Sequence, residues 1–246
     1  MNRFFVNPEK IINNVVTING EDAIHILKVL RLKEGDLIEV CDGMGTDYKG
    51  TLIKVAKEEV EVLLEDPKPS IGEPQIRVTL YQGIPKSSKM DLVIQKCVEL
   101  GVYSIVPVVT ARTVVDLSSP GKEQKKVARW QKIAEEAAKQ SGRGIIPNVH
   151  EPVSYDTVMD QVSDPIKLIP WEEERNTGLR EALQSIDRAG DISILIGPEG
   201  GFEEAEVMKA KERGWKVVTL GPRILRTETA GMAVLSAIMF YMGEME

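Results

Sequence analysis

The sequence predicts an α/β protein in two parts: a small β-rich, barrel-like module over residues 1–70 and an α/β domain with a mostly parallel sheet over residues 71–246. Three observations predict this arrangement. The first seventy residues contain short strand-like runs with turn signals between them. A proline-rich segment follows at 66–74. After it, continuous apolar runs alternate with helical patterns, as in a parallel sheet covered by helices.

The first module is built from four strand-like runs and one short helix. The runs lie at 15–18, 37–40, 49–55 and 59–64, and Asp42-Gly43 is a hairpin signal between the second and the third. A helical stretch occupies 23–30. The segment 66–74 has three prolines and one glycine, which predicts a linker.

The second part alternates strands and helices. A strand at 76–81 precedes a helix that opens at Ser88, follows the i, i+3, i+4, i+7 apolar rule and ends at Gly101. A strand at 102–109 precedes a long helix that Ser119 caps and Pro120 begins, ending near residue 140. Further strands are predicted at 166–169, 192–196 and 216–220, and further helices at 177–188, 203–213 and 229–241.

Composition and charge narrow the function classes. The chain has 246 residues, 42% hydrophobic and 28% charged, which excludes a disordered protein. A net charge of −7 argues against a uniformly basic nucleic-acid binder. The charge is uneven, however: residues 83–143 hold 11 basic and 6 acidic side chains, whereas residues 144–246 hold 10 and 18. A basic third in an acidic protein favours an anionic partner.

The chain offers little for metal binding or membrane insertion. Its two cysteines, Cys41 and Cys97, and two histidines, His25 and His150, cannot form a zinc cluster. The N-terminus lacks a secretory apolar region, and the longest apolar stretch, 232–242, is about half of the roughly 20 residues that span a bilayer. We expect a cytosolic protein without a metal.

Two loops are candidates for chemistry. The first, Ile196-Gly-Pro-Glu-Gly-Gly-Phe202, follows the most apolar strand, and its glycines allow close backbone approach to a ligand; a tight strand-to-helix turn is the alternative explanation. The second, 220–230, holds Arg223, Arg226 and Glu228 at the start of an apolar helix. Thr227 or Thr229 could cap that helix, but positive charge is disfavoured there, so the arginines indicate an anion or a polar base edge as ligand.

Other signatures are absent or ambiguous. The sequence has no G-x-G-x-x-G and no G-x-S-x-G, so a dinucleotide site and a serine nucleophile have no support. His25 is either a core residue or a ligand. Many basic side chains of 83–143 belong on solvated helix faces, but Arg112 and the 140–143 helix exit lie at element ends, where sites form.

Five segments in chain order resemble the bacterial ribosomal RNA small-subunit methyltransferase E family, of the SPOUT class. The similarity covers essentially the whole chain, and the two loops match the family pattern without departure. The segments are Arg3-Phe-Phe-Val6, His25-Ile-Leu-Lys-Val-Leu-Arg31, Gln95-Lys-Cys-Val-Glu-Leu-Gly-Val102, Ile196-Gly-Pro-Glu-Gly-Gly201 and Leu220-Gly-Pro-Arg-Ile-Leu-Arg-Thr-Glu-Thr-Ala230.

The resemblance implies a PUA-like RNA-binding barrel and a SPOUT α/β domain with a deep trefoil knot. It implies methyl transfer from S-adenosylmethionine to N3 of a specific uridine in 16S ribosomal RNA, free or in the small subunit, by a homodimer without metal. Two alternatives stay open: a SPOUT methyltransferase acting on transfer RNA or another ribosomal site, and a catalytically idle RNA-binding module.

The resemblance and the loops together give candidate site residues. Arg226 is expected to stabilise the uracil anion, and Glu228 to act as base with Glu199 as its rival. The cofactor is expected to contact Leu195, Ile196, Gly197, Pro198, Glu199, Gly200, Gly201, Leu220, Gly221, Arg223, Ile224, Leu225, Thr229 and Ala230. RNA is expected to contact Arg3, His25, Arg31, Lys86, Lys89, Arg112, Lys125, Arg129 and Arg143.

The last helix is apolar on more sides than one buried face requires. Burial against a second copy of the chain explains this pattern, and deep core burial is the alternative. The residues concerned are Met232, Val234, Leu235, Ile238, Met239, Phe240, Tyr241 and Met242.

Overall fold

The structure, a computed structural model, describes residues 2–56, 58–114, 121–184 and 190–246. The chain divides into two compact units. The first combines Met1–Glu73 with Ala138–Ile146, and the second combines Pro74–Ala137 with Pro147–Glu246. The segment Ala138–Ile146 therefore belongs to the first unit, although the boundary expected from the sequence assigns it to the second domain.

The first unit contains a five-stranded sheet in the order β1-β3-β4-β5-β2. Strand β1 pairs parallel with β3, and the other pairs are antiparallel. Alternate side chains such as Val16, Ile18, Val60 and Val62 point to one core. The strands are β1 Arg3–Phe5, β2 Val15–Asn19, β3 Leu37–Cys41, β4 Thr46–Val55 and β5 Glu59–Pro69.

The predicted linker is partly wrong, because β5 continues through its first four residues to Pro69. Asp47 pairs with Lys68 and Thr46 with Pro69, so the β4–β5 hairpin extends well past the core. This outer part of β5 is exposed, where a strand tolerates proline.

The helix predicted at 23–30 is two elements. Helix α1 spans Gly20–Ile24, and a π-helix at His25–Val29 follows it directly. The backbone N–H of Leu30 donates to His25 O, and the turn ends at Arg31 in the left-handed region with φ +56°. Hydrophobic spacing predicts helix here but does not distinguish four-residue from five-residue hydrogen bonding.

The second unit contains a seven-stranded sheet whose strand pairs are all parallel, which confirms the predicted mostly parallel sheet. The order is β12-β10-β11-β6-β7-β8, and β9 also pairs with β7. The strands are β6 Val78–Gly83, β7 Ser104–Val109, β8 Asn148–Val149, β9 Val153–Ser154, β10 Ile166–Pro170, β11 Ile192–Ile196 and β12 Lys216–Val218. The deep trefoil knot that the resemblance implies stays a prediction.

The described residues form six further helices, most of which the sequence patterns predict. Gly101 ends α2 with φ +93°, as predicted. Ser119, Pro120 and part of the predicted helix at 177–188 lie outside the described residues. Ser154 caps an unpredicted helix, α4, by accepting the Thr157 N–H at 3.0 Å. The helices are α2 Lys89–Glu99, α3 Lys122–Ser141, α4 Tyr155–Gln161, α5 Leu179–Gln184, α6 Glu204–Glu212 and α7 Thr227–Tyr241.

Helix α7 packs against α2, β6 and β11, and its residues Val234, Leu235, Ile238 and Met239 are buried. The carboxyl ends of β6, β10, β11 and β12 meet at one edge of the sheet, because these strands are neighbours and parallel. Ligands of open α/β sheets bind at this edge.

Candidate active site

A cavity of about 360 Å³ lies at this edge of the second unit. Its size is within the range of small-molecule sites. Both loops singled out in the sequence line it, together with the loop after β10. The lining residues are Lys89, Pro170, Trp171, Glu172, Arg175, Ile196, Gly197, Pro198, Glu199, Gly201, Phe202, Thr219, Leu220, Gly221, Pro222, Arg223, Ile224, Leu225, Arg226, Thr227 and Ala230.

The glycines of the first loop allow its backbone to pack closely against neighbouring segments. Gly201 has φ +67° and donates its N–H to Pro198 O at 2.9 Å, which closes a tight turn. A Cβ atom on Gly201 would lie 2.6 Å from Glu172 Oε1. At the end of β6, a Cβ on Gly83 would lie 2.7 Å from the backbone nitrogen of Pro198. The loop therefore packs directly on β6 and on the loop after β10.

A buried hydrogen-bond chain ties β6, the first loop and α7 together. Gln82 is fully buried at the end of β6 and donates from Nε2 to Thr227 Oγ1 at 2.9 Å. Thr227 Oγ1 in turn donates to Gly197 O at 2.5 Å. Sequence analysis missed Gln82; a polar side chain at the carboxyl end of an apolar strand was the available signal.

Two carboxylates approach one lysine at the rim of the cavity. Glu199 accepts the backbone N–H of Lys86 at 3.0 Å, and Lys89 Nζ lies 3.0 Å from Glu199 Oε1. Lys89 Nζ also lies 3.6 Å from Glu228 Oε2. Burial acts to raise the pKa of Glu199, but hydrogen bonds from its own backbone, from Lys89 and from Lys86 outweigh burial and lower it. Glu199 is therefore ionised at neutral pH.

The arginines of the second loop are free of ion pairs within the described residues. Arg223 and Arg226 are both exposed and both line the cavity. Arg226 also caps α7 with its backbone, since its carbonyl accepts the N–H groups of Thr229 and Ala230 at 2.9 and 2.8 Å. The loop thus presents two cations beside a helix N-terminus, an arrangement suited to a ligand that carries or develops negative charge.

Three of the predicted cofactor contacts do not line the cavity. Leu195 points to the other face of β11 and lies in the core. Gly200 faces Arg112, which donates from Nη1 to the Gly200 carbonyl at 2.6 Å. Thr229 is exposed on the first turn of α7. The remaining predicted contacts do line it: Ile196, Gly197, Pro198, Glu199, Gly201, Leu220, Gly221, Arg223, Ile224, Leu225 and Ala230.

Sequence analysis missed the loop after β10. Trp171, Glu172 and Arg175 line the cavity, and the backbone of Trp171 donates to Val218 O at 3.1 Å. The rule that ligands bind beyond the carboxyl ends of parallel strands applies to the predicted strand at 166–169 as well. That rule was the signal for this loop.

Two of the arginines predicted to contact RNA are engaged within the first unit. The Arg3 side chain is 9% exposed and pairs with Asp47 and Glu39. Arg143 is buried and pairs with Glu73 at 2.8 Å. Carboxylates of the first unit therefore hold both guanidinium groups, and contact of these two arginines with RNA stays a prediction.

The other predicted RNA contacts are more accessible. His25, Arg31, Lys86, Arg112, Lys125 and Arg129 are exposed, whereas Lys89 is partly buried at the cavity. Arg129 pairs with Asp91, and Arg112 lies 3.9 Å from Glu203.

The described residues contain neither a candidate metal cluster nor a candidate membrane span. In them, His, Cys, Asp and Glu side chains form no group of three or more that could hold a metal ion. No helix in this part of the chain combines the length and apolar character that a membrane span needs.

Comparison with known proteins gives matches along the chain. Residues 72–239 match the model of an RNA methyltransferase domain, and residues 18–65 match that of an RNA methyltransferase PUA domain. The ribosomal RNA small subunit methyltransferase E of Bacillus subtilis is 38% identical over 91% of this chain and 89% of its own.

Two solved structures are similar throughout. A ribosomal RNA small subunit methyltransferase E from Neisseria gonorrhoeae, bound to S-adenosyl methionine, is 33% identical with a TM-score of 0.84 and covers 98% of this chain and 97% of its own. A Legionella pneumophila protein in complex with the cofactor SAM is 30% identical with a TM-score of 0.85 and covers 97% of each chain.

Proposed function

The chain belongs to the family of the ribosomal RNA small subunit methyltransferase E, and from this premise we propose that it methylates N3 of a specific uridine in 16S ribosomal RNA. The observation that carries the proposal is the cavity, where both loops of the family pattern meet and where Arg223 and Arg226 form no ion pair with any described residue. We assign RNA binding to the barrel of residues 1–70 and methyl transfer to residues 71–246.

The cofactor is S-adenosylmethionine. The cavity fits it, since Ile196, Leu220 and Leu225 offer apolar walls. Within the described residues, the backbone N–H groups of Ile224 and Leu225 have no hydrogen-bond partner in the chain, so they are free to bind the polar edge of an adenine. When bound, S-adenosylmethionine supplies an electrophilic methyl group.

The chain's own residues must then make uridine N3 nucleophilic. N3 carries a proton, so the site removes that proton or stabilises the anion that remains. Arg226 is permanently charged and exposed at the cavity, which suits it to face an oxygen of the uracil anion. Glu228 is the candidate base because Glu199 already accepts hydrogen bonds from Lys86 and Lys89.

We propose a homodimer with the active site at its two-fold interface. Phe240 is 67% exposed and Tyr241 42% exposed on α7, whose opposite side is buried in the fold. Large apolar side chains on the outer side of the last helix support burial against a second copy.

The decisive experiment is methylation of small ribosomal subunits from a strain that lacks this enzyme. We expect one methyl group per subunit, located on N3 of a single uridine by mass spectrometry of the ribosomal RNA. Free 16S ribosomal RNA and transfer RNA are tested in parallel. Methylation of transfer RNA alone would replace the proposed substrate, and cofactor binding without any product would favour an idle RNA-binding module.

A further inference from the structure

Lys89 occupies an unfavourable position for a lysine. It is the first residue of α2, where the helix dipole disfavours positive charge. It also lines the cavity, with its side chain 32% exposed. Ion pairs with the neighbouring carboxylates therefore keep this ammonium group in place despite the unfavourable helix dipole.

The two carboxylates near Lys89 differ in their other contacts. Glu199 is fixed independently, because both of its oxygens accept the backbone N–H of Lys86, at 3.0 and 3.3 Å. Glu228 Oε2 is buried and accepts no hydrogen bond from the described part of the chain. The Lys89 ammonium at 3.6 Å, beyond hydrogen-bond distance, forms the ion pair of this oxygen.

An unsatisfied buried acceptor calls for an explanation, since buried polar atoms are nearly always bonded. Here the acceptor stands next to the cavity, on the carboxylate already assigned as candidate base. Lys89 thus lies between a fixed carboxylate, Glu199, and one whose Oε2 is free to accept a proton or hydrogen bond, Glu228.

We propose that Lys89 is a positioning residue, which Glu199 anchors and which holds the Glu228 carboxylate in place for methyl transfer. This inference rests on the proposed function, in which Glu228 takes part in activating uridine N3. It replaces the expectation from sequence that Lys89 contacts an RNA phosphate.

The two roles differ in kinetics. If Lys89 positions Glu228, Lys89→Met lowers kcat by about 10- to 100-fold, the usual scale for a misplaced reacting group, and leaves the KM for RNA unchanged. If Lys89 contacts phosphate, the same variant raises KM, reduces the slope of log affinity against log salt by about one, and spares kcat.

The experiment measures kcat, KM and the salt dependence of RNA binding for the full-length protein with small subunits and S-adenosylmethionine. Lys96→Met is the matched control on the same helix, because Lys96 pairs only with Glu99 among the described carboxylates. We expect wild-type kcat and KM for this control. Thermal unfolding of each variant checks that the fold is retained, and Lys89→Arg, which keeps the charge, should recover part of kcat.

A double-mutant cycle tests whether Lys89 acts through Glu228. In the Glu228→Gln background, adding Lys89→Met should change kcat by less than about twofold, because the group that Lys89 positions has already been removed. Multiplicative losses, a normal kcat for Glu228→Gln, or a KM effect alone would each overturn the proposal. A wild-type protein that methylates no RNA would instead overturn the proposed function itself.

Discussion

Arg226 is the residue that we expect to contribute most to methyl transfer, because it lies at the cavity and has no ion-pair partner among the described residues. We predict that Arg226→Ala lowers single-turnover methyl transfer by about 10²- to 10³-fold, the effect of removing one preorganised donor. Cofactor affinity by calorimetry should change little. Arg213→Ala, an exposed arginine paired with Asp160, serves as control.

The same measurement on Glu228→Gln separates two mechanisms. A loss of rate comparable to that of Arg226→Ala would support Glu228 as base. Near-normal turnover of Glu228→Gln with an inactive Arg226→Ala would instead indicate an arginine-stabilised anion that solvent deprotonates.

Ala230 tests whether the cavity is the cofactor site. It lies on α7, lines the cavity and is 9% exposed, so a larger side chain enters the cavity without straining a loop. We predict that Ala230→Phe abolishes S-adenosylmethionine binding in calorimetry while the protein stays folded. Ala205→Phe, at an exposed position of α6, should bind normally. Unchanged affinity of Ala230→Phe would place the cofactor elsewhere.

At the scale of secondary-structure elements, the sequence predicts those helices and strands whose pattern of apolar residues is clear. The strands at 166–169 and 192–196 are present because their apolar runs are buried on both faces. The π-helix at His25–Val29 was missed because hydrophobic spacing does not distinguish four-residue from five-residue hydrogen bonding. The extension of β5 to Pro69 was missed because it depends on pairing with residues of β4 that are distant in sequence. Both loops of the site were found because their glycines and charges are contiguous in sequence. Gln82 and Trp171 were missed although they lie just beyond the predicted strands at 76–81 and 166–169, because their hydrogen-bond partners, Thr227 and Val218, are distant in sequence.

One carboxylate, that of Glu174, forms three hydrogen bonds with the backbone of the loop after β10. Glu174 Oε1 accepts the backbone N–H groups of Arg175, Asn176 and Thr177 at 3.0, 2.7 and 3.2 Å. The bonds from Asn176 and Thr177 contribute most to lowering the pKa of Glu174 below its ordinary 4.5. Its ionised form therefore stabilises the folded chain fully at pH above about 4.5, and this contribution is lost as the pH falls through the lowered pKa.

We predict that Glu174→Gln lowers the Tm at pH 7, because a neutral amide oxygen is a weaker acceptor than a carboxylate. The difference from wild type should shrink when thermal unfolding is repeated near pH 3.5. Glu173→Gln, at the exposed neighbouring position, is the control. A difference in Tm that is independent of pH would show that the charge of Glu174 does not hold the loop.

At the scale of the whole molecule, basic side chains are concentrated in one region of an otherwise acidic sequence. Residues 83–143 carry 11 basic and 6 acidic side chains, and Lys125 and Arg129 are exposed on α3 within this region. We predict that charge reversal of both residues to Glu weakens RNA binding and makes its salt dependence shallower, with cofactor affinity unchanged. Filter binding across a salt series measures this. Lys216→Glu, on β12 in the acidic part of the sequence, should have little effect.

The main support for the proposed homodimer comes from helix α7. Val234, Leu235 and Ile238 fill the core beneath it, so burial within one chain accounts for its inner side only. Phe240, 67% exposed on the outer side, would lie in a dimer interface. We predict that Phe240→Glu converts a dimer into a monomer in light scattering at micromolar concentration and removes methyl transfer, because a buried unpaired charge is costly. Met208→Glu, which charges an apolar side chain 51% exposed on α6, should leave both the mass and the activity unchanged. A wild-type protein that is monomeric and fully active would contradict the proposed dimer.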